Sequence, residues 1–202
     1  MNKWKIVALL LVLFFIDLIL VITGNSLFID EFLYSCISSI KSDFMTDLML
    51  FITSLASTRF LVLVNVGLLL ICVVFKKYKL LILPISSLIS VVINNLFKLL
   101  IARDRPLDIA LIEEKFYSFP SGHSMIAIMF YGAVIYLVNR YKIRGYKYIT
   151  VALIFLIFFV GVSRIYLGVH FATDVLGGWL LASALLIVFT IIWENCERKM
   201  IK

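Results

Sequence analysis

The sequence predicts an all-α integral membrane protein built as a bundle of six transmembrane helices. Of its 202 residues, 63% are hydrophobic and only 15% are charged. A soluble domain of this length would need more polar residues to cover its surface. The apolar residues also fall into six runs, and about 20 apolar residues in a helix cross the hydrocarbon core of a bilayer.

The predicted spans follow one another with short polar segments between most of them. They cover residues 6–23, 60–75, 80–101, 124–139, 148–165 and 175–193. The first is too long for the apolar part of a signal peptide and no small-residue cleavage site follows it, so we interpret it as a retained helix. The second is short, and its helix could begin near Leu48. Pro84 lies in the first turn of the third span, where proline is tolerated.

Residues 27–56 have helical periodicity but do not form a continuous apolar run. Four apolar residues recur at helical spacing, Phe44, Leu48, Phe51 and Leu55. Asp43 and Asp47 fall elsewhere on the helical wheel. Two interpretations remain open, a helix lying at the outer membrane interface and the beginning of a longer second span. Either would form one wall of a lipid entrance.

The formal net charge of +7 comes from short basic clusters between the apolar runs. This distribution is typical of topology signals and argues against a nucleic-acid partner. With six crossings, most lysine and arginine residues lie on the side of the amino terminus. The sequence therefore predicts a multi-pass protein of the cell membrane with both termini cytoplasmic. It indicates one domain over residues 1–202, with no obligatory protein partner evident.

Three polar clusters lie at the ends of predicted spans. They are Lys98-Leu-Leu-Ile-Ala-Arg103-Asp104-Arg105-Pro106, Pro120-Ser121-Gly122-His123 and Ser163-Arg164-Ile-Tyr-Leu-Gly-Val-His170-Phe-Ala-Thr-Asp174. No span separates the first cluster from the second, and two spans separate the second from the third. An even number of crossings returns the chain to the same face. We therefore expect one extracytoplasmic pocket, and ionisable residues in such places indicate function.

The basic residues of these clusters suit a phosphate group. Lys98, Arg105 and Arg164 supply positive charge, and guanidinium groups bind phosphate oxygens in pairs. If the third helix continued through residue 105, Lys98 and Arg105 would share one face.

The second cluster lies where the fourth helix is predicted to begin. Unpaired backbone N–H groups and the positive end of the helix dipole attract anions at such a place. Ser121, Gly122 and His123 are therefore expected to form an anion cradle, in which Gly122 has no side chain to block close approach.

The two histidines, the only ones in the chain, indicate the chemistry. Asp174 follows His170 by four residues, so on a helix its carboxylate can accept the Nδ1 proton and leave Nε2 as a nucleophile. His123 would protonate the leaving alcohol oxygen and then activate water. Two histidines and an aspartate could also bind zinc, but three nearby cations would repel it. We therefore expect no metal and no cofactor.

Other polar residues have more ordinary interpretations. Asp17 lies inside the first span and should face the bundle or be protonated, with a structural role favoured. Asn94 and Asn95 could bond across helices or orient Lys98. Arg103 and Lys115 are equally well explained as site residues or as solvated charges.

Lys98-x6-Arg105-Pro106, the Pro120–His123 segment and Ser163-Arg164-x5-His170-x3-Asp174 resemble the three signature motifs of the type-2 phosphatidic acid phosphatase family. The resemblance covers about residues 80–190, and the third motif is similar to the bacterial branch containing phosphatidylglycerophosphate phosphatase B. It implies a six-helix membrane fold with an external site. It also implies roles, with His170 as nucleophile, His123 as general acid and base, Asp174 as orienter, and Lys98, Arg105, Ser121, Gly122, His123 and Arg164 as phosphate ligands.

The resemblance implies a metal-independent phosphatase acting on a lipid phosphate among membrane lipids. Phosphatidylglycerophosphate and phosphatidic acid are the expected substrates. Undecaprenyl pyrophosphate is the alternative, although relatives that handle it often carry Asp in place of Gly122. Vanadate-dependent haloperoxidases have a similar anion pocket but are soluble. A non-catalytic lipid transporter or scaffold on the same fold would have no need of a nucleophilic histidine with its orienter.

Overall fold

The computed structural model describes residues 2–200, and eight α-helices account for most of them. The terminal residues of the predicted domain, 1, 201 and 202, lie outside the described part. The helices are α1 (Lys3–Ile22), α2 (Leu27–Ser38), α3 (Asp43–Ser54), α4 (Thr58–Val74), α5 (Ile82–Ile101), α6 (Gly122–Arg140), α7 (Tyr146–Tyr166) and α8 (Ala172–Met200). One 3₁₀ turn precedes α5 and another, Leu107–Ile109, lies in the loop before α6.

The predicted fold class is confirmed, because six helical segments of the described chain are long and apolar enough to cross a membrane. Five of the six spanning helices begin two or three residues before the predicted spans, because flanking residues also take helical conformation, whereas α5 begins two residues after its predicted start. Asn2 caps α1 from an extended conformation, and its side chain accepts a hydrogen bond from the backbone N–H of Trp4. Many large apolar side chains on the outer faces of α1 and α4 are exposed, as expected of surfaces that a bilayer covers.

Residues 27–56 form two helices, α2 and α3, followed by a turn. The helix of the second predicted span begins at Thr58 and not near Leu48, because Ser57 caps a new helix there. The segment Asp43–Val74 is nevertheless apolar enough to be a single candidate span. In α3 the buried residues are Met49 and Thr53, which face α7, whereas the periodic residues Phe44 and Phe51 point outward.

The core forms around α6, which packs against α5, α7 and α8. Close approach between α7 and α8 depends on Gly161, because a Cβ atom there would collide with Trp179. The first helix packs along α8, where a Cβ atom on Gly177 would lie 2.7 Å from a carboxylate oxygen of Asp17. Asp17 is therefore buried and faces the bundle, as the sequence predicted.

The end of α5 determines how the first polar cluster enters the site. The helix stops at Ile101 and Ala102 adopts a left-handed conformation with φ 49°. The condition for a shared helical face of Lys98 and Arg105 is therefore not met, and α5 ends at residue 101, where the predicted third span ends. Residues 102–121 instead turn back across the same end of the bundle and carry two arginines with them.

Candidate active site

The three polar clusters meet at one end of the bundle. His123 at the start of α6 lies in the electrostatic field of Arg164, His170, Lys98 and Arg105. Helix packing brings them together, because α6 contacts both α5 and the two helices that flank His170. The spatial prediction made from the parity of the crossings therefore agrees with the structure.

His170 and Asp174 form a buried pair. The Nδ1 atom of His170 lies 3.3 Å from Oδ2 of Asp174, and both side chains are almost completely buried. His170 precedes α8 instead of lying on it, so the pair forms across the first turn of that helix. Oδ2 also accepts a hydrogen bond of 2.9 Å from the backbone N–H of Phe171, which fixes the direction of the carboxylate.

The surroundings of His170 favour one tautomer. Nη1 of Arg105 lies 3.2 Å from Nε2 of His170. Because a guanidinium group can only donate, Nε2 accepts this hydrogen bond and carries no proton. The proton then lies on Nδ1, toward Asp174. This arrangement leaves a lone pair on Nε2, as a nucleophile requires.

The imidazole of His170 is also kept neutral. Burial lowers its pKa well below the usual value near 6.5, and the positive charge of Arg105, followed by those of Arg164 and Lys98, lowers it further. Because its pKa is lowered, the imidazolium form of His170 gives up its extra proton at a lower pH than an ordinary histidine does. His170 is therefore neutral around pH 7 in the ligand-free protein.

Arg105 is fixed by backbone oxygens on both sides of the site. Nε donates to the carbonyl of Phe116 at 2.8 Å, and Nη1 donates to the carbonyl of Val169 at 2.7 Å. Burial lowers the pKa of Arg105, with partial compensation by Glu114 and Asp174. The guanidinium group is thus held against Nε2 of His170, the atom that would attack a phosphorus centre.

Arg164 is the most deeply buried cation of the site, with 1% of its surface exposed. Nη1 donates to Oγ1 of Thr53 on α3 at 2.8 Å, and Nη2 is paired with the carboxylate of Glu114. Within residues 2–200, the Nε atom has no hydrogen-bond partner. An acidic side chain from the loop before α6 therefore occupies part of the predicted phosphate site.

Two predicted residues, Lys98 and His123, remain available to a ligand. Neither side chain forms a hydrogen bond with any described residue. Both are partly buried and lie among charged groups. The charges that act on Lys98 include Arg105 and Arg164, so three cations share a small volume. Such an arrangement favours a multiply charged anion.

The start of α6 provides backbone donors at the same place. Ser121 is the N-cap residue, and the first amides of a helix have no intrahelical partners. The amide of Ser121 itself donates to the carbonyl of Asp174 at 2.9 Å, and its hydroxyl accepts from Ser124 at 3.0 Å. The candidate donors for an anion are therefore the amides of Gly122 and His123.

Asn94 holds this helix start against α5. Its side-chain amide donates to the carbonyl of Pro120 at 2.9 Å. This bond joins α5 to the segment that leads into α6, in agreement with the first of the two roles expected for Asn94. A Cβ atom added to Gly122 would lie 3.0 Å from Oδ1 of Asn94. Gly122 therefore allows the close packing of Asn94 against the start of α6. Asn95 faces outward.

Sequence reasoning missed three residues that contact the site. Asp30 and Thr53 come from α2 and α3, and Glu114 comes from the loop before α6. The best available signal was an aspartate, Asp30, inside the largely apolar segment 27–33, since such a carboxylate needs a partner. Arg103, for which a solvated role was left open, forms ion pairs with Asp30 and Asp174.

Comparison with known proteins gives concordant results. A family model described as the PAP2 superfamily matches residues 79–198. The phosphatidylglycerophosphatase B of Bacillus subtilis (strain 168) is 39% identical over 111 residues, 52% of this chain and 54% of that protein. The undecaprenyl-diphosphatase of Sulfolobus acidocaldarius is 37% identical over 107 residues, 50% of this chain and 48% of that protein. The chain spans about half the length of the curated relatives it matches.

Two crystal structures share the fold. The transmembrane PAP2-type phosphatidylglycerolphosphate phosphatase from Bacillus subtilis superposes with a TM-score of 0.86 at 29% identity, covering 96% of this chain and 98% of the other. LpxE of Aquifex aeolicus superposes with a TM-score of 0.61 at 24% identity, covering 79% of this chain and 91% of that protein. The second likeness concerns the fold alone.

Proposed function

The chain belongs to the PAP2 superfamily, and from that premise we propose that it is a membrane phosphatase that hydrolyses phosphomonoesters of phospholipids. One observation carries the proposal. His170 is neutral, its Nε2 atom is an acceptor beside Arg105, and its Nδ1 atom faces Asp174. A nucleophile with a fixed tautomer among phosphate-binding cations is suited to covalent phosphoryl transfer.

In the first step, Nε2 of His170 attacks the phosphorus atom while the bond to the lipid oxygen breaks. The negative charge of the bound phosphate favours protonation of His123 from the solvent, and this ring then donates its proton to that oxygen, so the lipid leaves as a neutral alcohol. The phosphorylated His170 keeps its Nδ1 proton, and the carboxylate of Asp174 stabilises the positive charge that develops on the ring.

In the second step, water hydrolyses the phosphohistidine. His123, now neutral, removes a proton from the water as the oxygen attacks phosphorus and the bond from phosphorus to Nε2 breaks. His170 returns to its starting state with the proton on Nδ1, and inorganic phosphate is released. The same histidine thus acts first as acid and then as base.

The surrounding groups would stabilise the transferring phosphoryl group. Lys98, Arg105 and Arg164 place three positive charges around the oxygens, and the start of α6 adds the amide of Gly122. Ser121 contributes by holding the start of α6 against Asp174. Because the carbonyls of Phe116 and Val169 hold Arg105 and Thr53 holds Arg164, little reorganisation of these two groups accompanies the movement of charge.

Phosphatidylglycerophosphate and phosphatidic acid are the proposed substrates. The similarity to the Bacillus subtilis phosphatidylglycerophosphatase B supports a glycerophospholipid phosphate, and Gly122 favours the same choice over a polyprenyl diphosphate. An undecaprenyl diphosphate remains the second candidate, because the Sulfolobus acidocaldarius relative is named for that activity. The membrane is the source of either substrate.

We further propose that the site faces the outside of the cell membrane and that both termini are cytoplasmic. Ion pairs support the location of the basic segments at one end of the bundle, near the carboxyl-terminal part of α8. Lys3 forms an ion pair with Glu194, and Lys79 and Arg140 both form ion pairs with Glu197. This end of the bundle is opposite His170. A reporter enzyme that is active only outside the cytoplasm should be inactive when fused after residue 202 and active when inserted into the 107–119 loop. The reverse pattern would invert the proposed topology.

The purified protein should release phosphate from detergent-solubilised phosphatidic acid or phosphatidylglycerophosphate, with chelator present. Undecaprenyl diphosphate and a soluble phosphomonoester complete the panel. His170→Ala should abolish turnover and also the acid-labile label acquired from ³²P-labelled lipid. Near-normal turnover by this variant would overturn the covalent mechanism. If the wild-type protein bound these lipids but released no phosphate from any of them, a transporter or scaffold would be favoured.

A further inference from the structure

Arg103 joins two buried carboxylates that come from distant parts of the chain. Nη1 donates to Oδ1 of Asp174 at 2.7 Å, and Nη2 donates to Oδ2 of Asp30 at 2.8 Å. Both carboxylates are inaccessible to solvent, and only 11% of the arginine side chain is exposed. A guanidinium group can bond two acceptors at once in a fixed geometry, which a lysine ammonium does not reproduce.

The orientation of the Arg103 guanidinium group is fixed by three further contacts. Nη1 also donates to Oγ1 of Thr173 at 2.8 Å, and Nη2 donates to Oγ of Ser26 at 3.1 Å. The group stacks on the ring of Phe171, 4.1 Å from its centroid. Four hydrogen bonds and one aromatic contact therefore determine where its two nitrogen atoms point.

Asp30 holds the helix that carries Asp174. Its Oδ1 atom accepts hydrogen bonds from the backbone N–H of Thr173 at 2.9 Å and from the Thr173 hydroxyl at 3.0 Å. Thr173 lies in the first turn of α8, where backbone amides lack intrahelical partners and a negative charge stabilises the helix. Asp30, from α2, thus acts as a distant cap for α8.

These contacts leave Asp174 a single orientation. Oδ1 is occupied by Arg103, and Oδ2 is held by the amide of Phe171 at the position that faces Nδ1 of His170. Without Arg103, the carboxylates of Asp30 and Asp174 would be buried with no shared cation. One buried charge left without its partner is strongly unfavourable, so the local structure would rearrange.

We propose that Arg103 and Asp30 are positioning residues for the phosphoryl transfer, acting on His170 through Asp174. The proposal rests on the proposed phosphatase function. Neither residue contacts the reacting atoms. Their task is to keep Oδ2 of Asp174 directed at Nδ1 of His170 so that Nε2 stays unprotonated. The helix α2 thereby becomes part of the apparatus that prepares the nucleophile.

A double-mutant cycle tests this route of action. Arg103→Lys should lower kcat about 10- to 100-fold, the usual cost of disturbing a residue that orients a reactive group, and change KM less than about threefold. In an Asp174→Asn background, measured with ³²P-labelled phosphatidic acid, the same substitution should cost less than about threefold. Equal losses in both backgrounds, or a rise in KM with unchanged kcat, would overturn the proposal.

A matched control lies at the other end of the bundle. Arg140 also donates from Nη2 to a carboxylate, that of Glu197, at 2.6 Å. Arg140→Lys should leave kcat unchanged. If Arg103→Lys does not fold, Asp30→Asn keeps the size of the side chain and should produce the same selective loss of kcat.

Nitrogen NMR of ¹⁵N-histidine-labelled protein tests the positioning independently of turnover. The chain has two histidines, so His123→Ala assigns the remaining signals to His170. The wild type should show His170 protonated on Nδ1, and Arg103→Lys or Asp30→Asn should populate the other tautomer. An unchanged tautomer in both variants would overturn the proposal. A changed tautomer in a protein that releases no phosphate from any lipid would instead overturn the proposed function alone.

Discussion

Replacing Asp174 by asparagine should alter the nucleophile while nearly preserving the shape of the site. The new amide NH2 group must occupy the position of either Oδ1 or Oδ2. At Oδ1 it would face Nη1 of Arg103 at 2.7 Å, and at Oδ2 it would face the N–H of Phe171 at 2.9 Å. Hydrogen bonds to charged groups are worth about 1.5–3 kcal/mol and neutral ones about 1 kcal/mol, so the amide oxygen should stay with Arg103.

This choice places the new NH2 group against Nδ1 of His170, which lies 3.3 Å from Oδ2 in the wild type. Nδ1 must then accept a hydrogen bond, and the ring proton moves to Nε2. The attacking atom loses its lone pair. A wrong tautomer of this kind lowers kcat about 10⁴-fold in a serine protease triad, or about 5.5 kcal/mol at 1.36 kcal/mol for each factor of ten.

The assay is phosphate release from phosphatidic acid in detergent micelles, with kcat and KM determined separately. KM should change less than about threefold, because the side chain of Asp174 bonds to Arg103, Phe171 and His170 and the bond from the Ser121 amide goes to its unchanged backbone carbonyl. Asp47→Asn, an exposed carboxylate on α3, is the control and should behave as wild type. A variant of Asp174 with kcat within tenfold of wild type and a raised KM would refute the reasoning and assign Asp174 to headgroup contact.

Two further predictions concern the pH profile and the start of α6. The profile of kcat/KM against pH should be bell-shaped, and its acid limb should lie below pH 6.5 because burial and Arg105 lower the pKa of His170. Arg105→Gln removes one positive charge and should move the acid limb to higher pH. A flat profile from pH 4 to 9 would contradict the paired histidine roles. Gly122→Ala should lower kcat/KM about tenfold, because its Cβ atom would lie 3.0 Å from Asn94, and such overpacking costs about 1–3 kcal/mol. Gly67→Ala, which meets nothing within 4 Å, is the control, and equal activity of the two variants would refute the packing argument.

Much of the fold could be predicted because the bilayer imposes a simple length requirement on apolar helices. The six spans and the family resemblance are confirmed. The boundaries around residues 39–58 could not be predicted well, because they depend on local capping by Ser42 and Ser57 and not on hydropathy. The buried face of α3 was also missed, since Met49 and Thr53 are defined by their contact with α7.

The geometry of the candidate site was only partly predictable, for a related reason. His170 and Asp174 are close in sequence, so their contact follows from spacing alone. The partners of Arg103 and Arg164 are not, since Asp30 is 73 residues from Arg103 and Thr53 is 111 residues from Arg164. Contacts of this kind follow from the packing of α2 and α3 against α7 and α8, and no local pattern in one sequence reveals them. The roles of these residues remain predictions.

The pairing of Glu114 with Arg164 has a consequence for how tightly the protein can hold an anion. A phosphate that takes its place beside this arginine exchanges with a carboxylate that is already seated. The observed binding free energy of the phosphate is then the difference between the free energies of two pairings, that of Arg164 with phosphate and that of Arg164 with Glu114. The observed affinity is therefore weaker than it would be without Glu114. In the proposed phosphatase reaction the same competition would apply to the inorganic phosphate that is released, because the loop keeps Glu114 at high local concentration beside Arg164. The carboxylate of Glu114 would therefore favour rapid release of the product over its retention.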